Sequence, residues 1–198
     1  MPSFIDYVSL LLVNMVAGYS LLAGYVYKGL DDADQTRWAP GFLLVGMLAL
    51  TFGGHLCMTW PLPGPYNSAF GEMSVLFGGI FFMAGVSLAK GWDLLIVAYY
   101  AFFAGLAAMV LGAKILEGGL TKVPWLAAIG FVLSGAGGVF AAPLLLWFRD
   151  DRRVRLLGAL VLGGAALVWA ATVYPEYWEH MAMFKNWMPL IARGAPGK

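Results

Sequence analysis

Apolar residues run in blocks of about 20 along this chain, broken by short polar or proline-rich stretches. A helix of that length crosses a ~30 Å hydrocarbon core. Six such blocks can be drawn: Phe4–Tyr27, Ala39–Trp60, Ser68–Ala89, Leu94–Leu116, Trp125–Phe148 and Leu156–Val173. The breaks between them are KGLDDADQTRW, the uncharged loop WPLPGPYN, the turn around Lys90–Asp93, the stretch from Glu117 to Pro124, and the basic loop RDDRRVR. Pro40 stands where a first helical turn tolerates proline. After Pro175 the pattern changes to aromatics mixed with charges, too polar to span, which predicts an interfacial amphipathic helix. The expected fold is all-α: a six-transmembrane-helix bundle over residues 1–175, with an interfacial C-terminal tail over 176–198.

Composition agrees with this pattern. The chain is 61% hydrophobic and 12% charged, against about 25% charged residues in soluble domains. A net charge of +1 carries no nucleic-acid signal. The lone Cys57 excludes an internal disulfide and a C-x-x-C metal knuckle. The first block lacks a basic leader and is long enough to stay as a span. Small residues at four-residue spacing, Ala104, Ala108 and Gly112 in the fourth block and Gly130, Ser134 and Gly138 in the fifth, predict close helix packing.

Loop charge predicts orientation. Lys28, Arg37, Lys90, Arg149, Arg152, Arg153 and Arg155 fall on one side, while the short loops of the other side carry only Lys114 and Lys122. The positive-inside rule then puts the first group in the cytoplasm and both termini outside, in a plasma membrane.

The polar residues that interrupt apolar blocks are the candidate chemistry. His55 lies about five residues before the proline loop and Glu72 about five after it, so each sits roughly 7 Å inside its helix end. Ionisable groups at membrane depth point to function. The two are expected to face each other at an outer constriction, as a gate, a filter or a structural tie. Tyr66 and Asn67 in the loop, Asn14 in the first span, and Tyr99 and Tyr100 in the fourth would line the pore; ordinary interhelical bonds are the plainer reading. Lys114 and Glu117 read as a surface pair. A second constellation is metallic. His55 with Cys57 and Met58, and His180 with Met181 and Met183, combine imidazole with sulfur, which suits copper, and two histidines could hold haem b. Met beside His in a chain with 10 methionines is also unremarkable.

The run TWPLPGPYNSAFGE, followed by VLFG and KGWD, resembles a family of small polytopic membrane proteins with no assigned function, over most of the chain. Ser68-Ala-Phe70-Gly71 with Leu76-Phe77-Gly78, and the first-span run YVSLLLVNMVAGYSLL, are similar to the urea and short-amide channel family, which implies six spans with both termini outside. Glu72, His55 and the lack of a histidine-rich outer loop depart from that family's pattern.

The leading expectation is a channel or simple transporter for a small neutral or weakly acidic solute, with no cofactor and no catalytic residue. The alternatives are a haem- or copper-bearing subunit of a respiratory complex, or a non-catalytic accessory subunit. Expected partners are the lipid bilayer, a small-molecule solute, and a homo-oligomer or larger membrane complex, with no nucleic acid.

Overall fold

A computed structural model of the chain describes residues 6–186. Six long helices make up almost all of it: α1 (Tyr7–Tyr27), α2 (Ala39–Thr59), α3 (Met73–Lys90), α4 (Leu95–Gly118), α5 (Pro124–Trp147) and α6 (Arg152–Met183). All six are long and apolar enough to cross a membrane. A π-helical segment, Asn67–Glu72, leads directly into α3.

Local chemistry sets the helix ends. The Asp6 carboxylate accepts from the Ser9 amide at 3.2 Å and starts α1. Asp151 does the same for α6, accepting from Arg153 N at 2.8 Å. Gly91 and Gly119 take left-handed conformations and stop α3 and α4. Trp60, with φ 46°, stops α2 in the same way without being glycine.

The sixth helix differs from expectation. The sequence pattern predicts a break at Pro175, with an interfacial helix beyond it. Instead α6 runs unbroken through Pro175 to Met183. A proline removes one backbone hydrogen bond from a helix interior. Here two side-chain ties beyond it, from His180 to Asp6 and from Glu179 to Lys122, hold the last turns in line. At 32 residues α6 is about 48 Å long, so its last turns extend beyond a ~30 Å core. Tyr177 and Trp178 belong to this helix; the span start expected at Phe4 and the tail residue Trp187 lie outside the described residues.

The helices pack mainly as three pairs, α2 with α3, α4 with α5, and α1 with α6. Lipid tails supply no hydrophobic drive between helices, so close backbone approach takes its place. A Cβ built on Gly46 would lie 2.3 Å from the Phe82 nitrogen, and one on Gly105 would lie 2.5 Å from the Gly135 carbonyl oxygen. The face of α4 that meets α5 carries Gly105 and Gly112. Gly112 belongs to the expected stripe, whereas Gly105 does not. The α5 stripe divides: Gly138 meets α4, whereas Gly130 and Ser134 meet Trp169 of α6.

The basic loops gather at one end of the bundle. There Arg155, only 4% exposed, forms a two-pronged bond to Asp31, with Nη1 to Oδ1 at 2.5 Å and Nη2 to Oδ2. That guanidinium holds the Asp31 carboxyl below the usual carboxylate range. Trp38 Nε1 donates to Asp32 at 2.6 Å, and Tyr25 to Gln35 at 2.7 Å. The opposite end carries the proline loop, the α4–α5 loop, the start of α1 and the end of α6.

Candidate functional site

The expected His55–Glu72 pair is not formed. Gly53 and Gly71 bring α2 and the π segment together: a Cβ on Gly53 would lie 3.0 Å from the Gly71 carbonyl oxygen, and one on Gly71 would lie 2.9 Å from Leu56 Cβ. Each residue turns a helix by about 100°, so His55 stands about 200° round from Gly53 and faces away from α3. Its half-buried ring instead packs on Tyr7 of α1, with centroids 5.0 Å apart. Glu72 is exposed and accepts from Ser68 Oγ one turn earlier at 3.0 Å. Equal depth along two helices says nothing of rotation about their axes, and rotation decides whether side chains meet.

Other expected pore residues are also placed elsewhere. Asn14 is buried and donates to the Val45 carbonyl at 2.9 Å, tying α1 to α2. Asn67 is wholly buried and clamps the proline loop, donating to Leu62 O at 2.6 Å and accepting from Leu62 N at 3.1 Å. Tyr99 and Tyr100 are exposed on α4 and line neither cavity described below. Lys114 and Glu117 form the expected surface pair at 2.8 Å. Tyr66 alone among the pore candidates lines a cavity at the expected end.

That cavity, of about 500 Å³, is built mostly from residues outside the expected pore set. Asp6, Tyr66, Thr121, Lys122, Glu176 and His180 line its polar part. His180 Nδ1 lies 2.5 Å from Asp6 Oδ2, with Ser9 Oγ 3.4 Å from the same nitrogen. Because hydroxyl and carboxylate meet one ring nitrogen, this is not the relay of a catalytic triad, which needs them on opposite nitrogens. Lys122 donates to Glu179 at 2.9 Å, and that carboxylate holds the ammonium above the usual lysine range. Glu176 is half-buried within electrostatic reach of Lys122, His180, Asp6 and Glu179. Thr121 Oγ1 is buried without a hydrogen-bond partner. One signal for this cluster is present in the sequence: Glu176, Glu179 and His180 stand at i, i+3 and i+4, one face of a helix.

A second cavity, of about 480 Å³, lies on the basic side of the first. Its walls are almost wholly apolar, from Phe77 and Phe81 on α3, Ala98 and Ala101 on α4, and Leu157 and Leu162 on α6. The two follow each other along four helices. On α1, Val8 and Leu12 line the polar cavity, and Met15 and Tyr19 the apolar one. On the π segment and α3 the order is Phe70, then Met73 and Phe77; on α5 it is Leu126 and Ala127, then Phe131 and Ser134. On α6 it is Thr172 and Trp169, then Leu162 and Val161.

An aromatic septum stands between them. Phe131, 1% exposed, has its ring centroid 5.9 Å from Phe70 and 5.1 Å from Trp169, meeting the latter edge-on. Trp169 is fully buried and donates from Nε1 to Ser134 Oγ at 3.0 Å, which fixes the indole. Phe70 sits on the π-helical segment, a local geometry frequent at functional sites.

The metal alternative draws on His55, Cys57, Met58, His180, Met181 and Met183. Met58, Met181 and Met183 are exposed, and His180 Nδ1 is engaged by Asp6. Among the described residues, no three His, Cys, Asp or Glu side chains are grouped so as to hold a metal ion.

Residues 1–183 match a family described as "Protein of unknown function (DUF981)". No curated protein and no solved structure matches the chain, and none of these comparisons shows the likeness to urea channels.

Proposed function

We propose, for a chain that belongs to the DUF981 family, that it is a passage through the membrane for a small neutral or weakly acidic solute, held here in a closed state. One observation carries this reading: two cavities of about 500 and 480 Å³ follow each other along the bundle and are parted by the Phe70–Phe131–Trp169 layer. Both volumes lie within the ~300–1,000 Å³ range of small-molecule sites. The gate of this passage is the aromatic layer, and its outer binding site is the Tyr66–Lys122–Glu176–His180 cavity. An apolar constriction blocks water and ions without a charged barrier.

Loop charge orients the passage. The end bearing Arg149, Arg152 and Arg153 faces the cytoplasm, and the polar cavity opens outside, with both termini. The membrane is the plasma membrane.

Flux into liposomes tests the reading. Protein reconstituted in phosphatidylcholine vesicles should pass some members of a panel of neutral solutes and short weak acids faster than empty vesicles. Phe131→Ala should raise that flux by opening the septum. Flux equal to empty vesicles across the whole panel, for wild type and Phe131→Ala alike, defeats the proposal.

A further inference from the structure

The inner cavity is not closed on all sides. Phe140 on α5 and Leu157 on α6 both line it, yet they are 66% and 63% exposed. Side chains that belong to a cavity wall and to the lipid-facing surface mark a lateral opening, here between α5 and α6. Further from the basic end the two helices close up: a Cβ on Gly137 would lie 2.6 Å from Leu162, and one on Gly130 would lie 2.9 Å from Trp169. On α5 the cavity runs from Phe131 to Leu145, about 21 Å of helix, longer than the ~15 Å of one leaflet's hydrocarbon.

The foot of the opening is cationic. Phe148 and Val154 line the cavity and are bonded in sequence to Arg149 and Arg153. Arg149 is within electrostatic reach of Tyr25, another wall residue. Among the described residues neither Arg149 nor Arg153 is held in an ion pair, whereas Arg155 is committed to Asp31. Of the two acids in this loop, Asp151 caps α6 and Asp150 lies within reach of Arg155.

From this juxtaposition we infer that the inner cavity binds a single-chain carboxylic acid of fatty-acid type. The acid enters sideways from the cytoplasmic leaflet between α5 and α6. Its chain lies past Phe140 and Leu157 against Ala98 and Ala101, and its carboxylate lies on Arg149 and Arg153. An apolar wall about 21 Å long suits a hydrocarbon chain, and guanidinium groups suit a planar carboxylate. This narrows the solute class of the proposed passage and rests on that reading for the movement of the acid, though not for its binding.

The test uses the full chain in phosphatidylcholine nanodiscs with palmitic acid carrying a diazirine near its chain end. Photolysis and peptide mass spectrometry should place the label on the α4–α5–α6 walls of the cavity. Arg149→Gln with Arg153→Gln should weaken palmitate binding about tenfold, as loss of charge-assisted contacts implies. Leu157→Trp should block the opening and cut labelling. Leu160→Trp, on a lipid-facing side chain that does not line the cavity, should not. Label scattered over the lipid-facing surface, or palmitate affinity unchanged in the double arginine variant, overturns the inference. So does displacement of palmitate by phosphatidylglycerol at lower concentration than by palmitate itself, which would make the cavity a phospholipid site. Flux of the neutral-solute and short-acid panel is scored separately: its absence in wild type and Phe131→Ala alike defeats the passage and leaves the acid-binding result to stand or fall on the labelling.

Discussion

Asp6 and His180 are 174 positions apart in the chain and 2.5 Å apart in the fold, one capping the start of α1 and the other riding the last turns of α6. The same carboxylate accepts from Ser9 N through its other oxygen, so one residue starts a helix and ties down another. Because the pair is three-quarters shielded from solvent, each partner lost leaves a partly buried polar group unmet. Asp6→Ala and His180→Ala should each lower stability by about 1–2 kcal/mol, and the double variant by less than their sum. Thermal unfolding of the four proteins in one detergent checks this; strict additivity would mean that the contact carries no coupling.

The Trp169–Ser134 bond holds the septum. Ser134→Ala should leave the buried indole N–H without an acceptor at a cost of about 1–3 kcal/mol. Tryptophan emission should shift as the ring loses its fixed environment. An unchanged unfolding temperature would show that the indole finds another partner.

Backbone contact between α2 and α3 leaves no room at Gly46. Its added Cβ would meet backbone atoms of Phe82, which cannot rotate away as a side chain end can. Gly46→Ala should cost about 1–3 kcal/mol through overpacking, whereas Gly79→Ala, with nothing within 4 Å, should be neutral. Equal stability of the two variants in a denaturation series would contradict this packing.

Asp31 gives a pH dependence of defined sign. Its carboxyl is held below the usual range by Arg155, so the folded state binds that proton less tightly than the unfolded chain does. The stabilisation is fully present above the unfolded value of about 3.9 and is lost as pH falls through the depressed folded value. Wild-type stability should therefore drop more steeply below about pH 4 than that of Asp31→Asn, which should already be less stable at neutral pH. Parallel acid profiles for the two proteins would rule out this linkage.

Much of the architecture was legible without coordinates because it depends on short-range quantities. Since a bilayer-length apolar run has few alternatives to a helix, six apolar blocks became six helices with ends within a few residues of expectation, except that α6 runs ten residues past the expected Val173. Gly91 and Gly119 stop their helices at or beside the breaks read from the chain. Pro175 misled, because a proline signals a break only where nothing beyond it holds the helix straight.

What the chain alone determined, then, was the number of membrane-length apolar helices, the basic end, and the end at which polar side chains collect, all consequences of composition and of rise per residue. What only the tertiary structure decided was which of those side chains meet. Rotation about the helix axis put His55 against Tyr7 and left Glu72 exposed. The uninterrupted length of α6 carried Glu176, Glu179 and His180 over the mouth of the bundle, beside Asp6 and Lys122. The septum needed three helical elements to place Phe70, Phe131 and Trp169 ring against ring. Close glycine contacts fix those rotations, and a contact between distant segments has no periodicity along the chain by which it could be read.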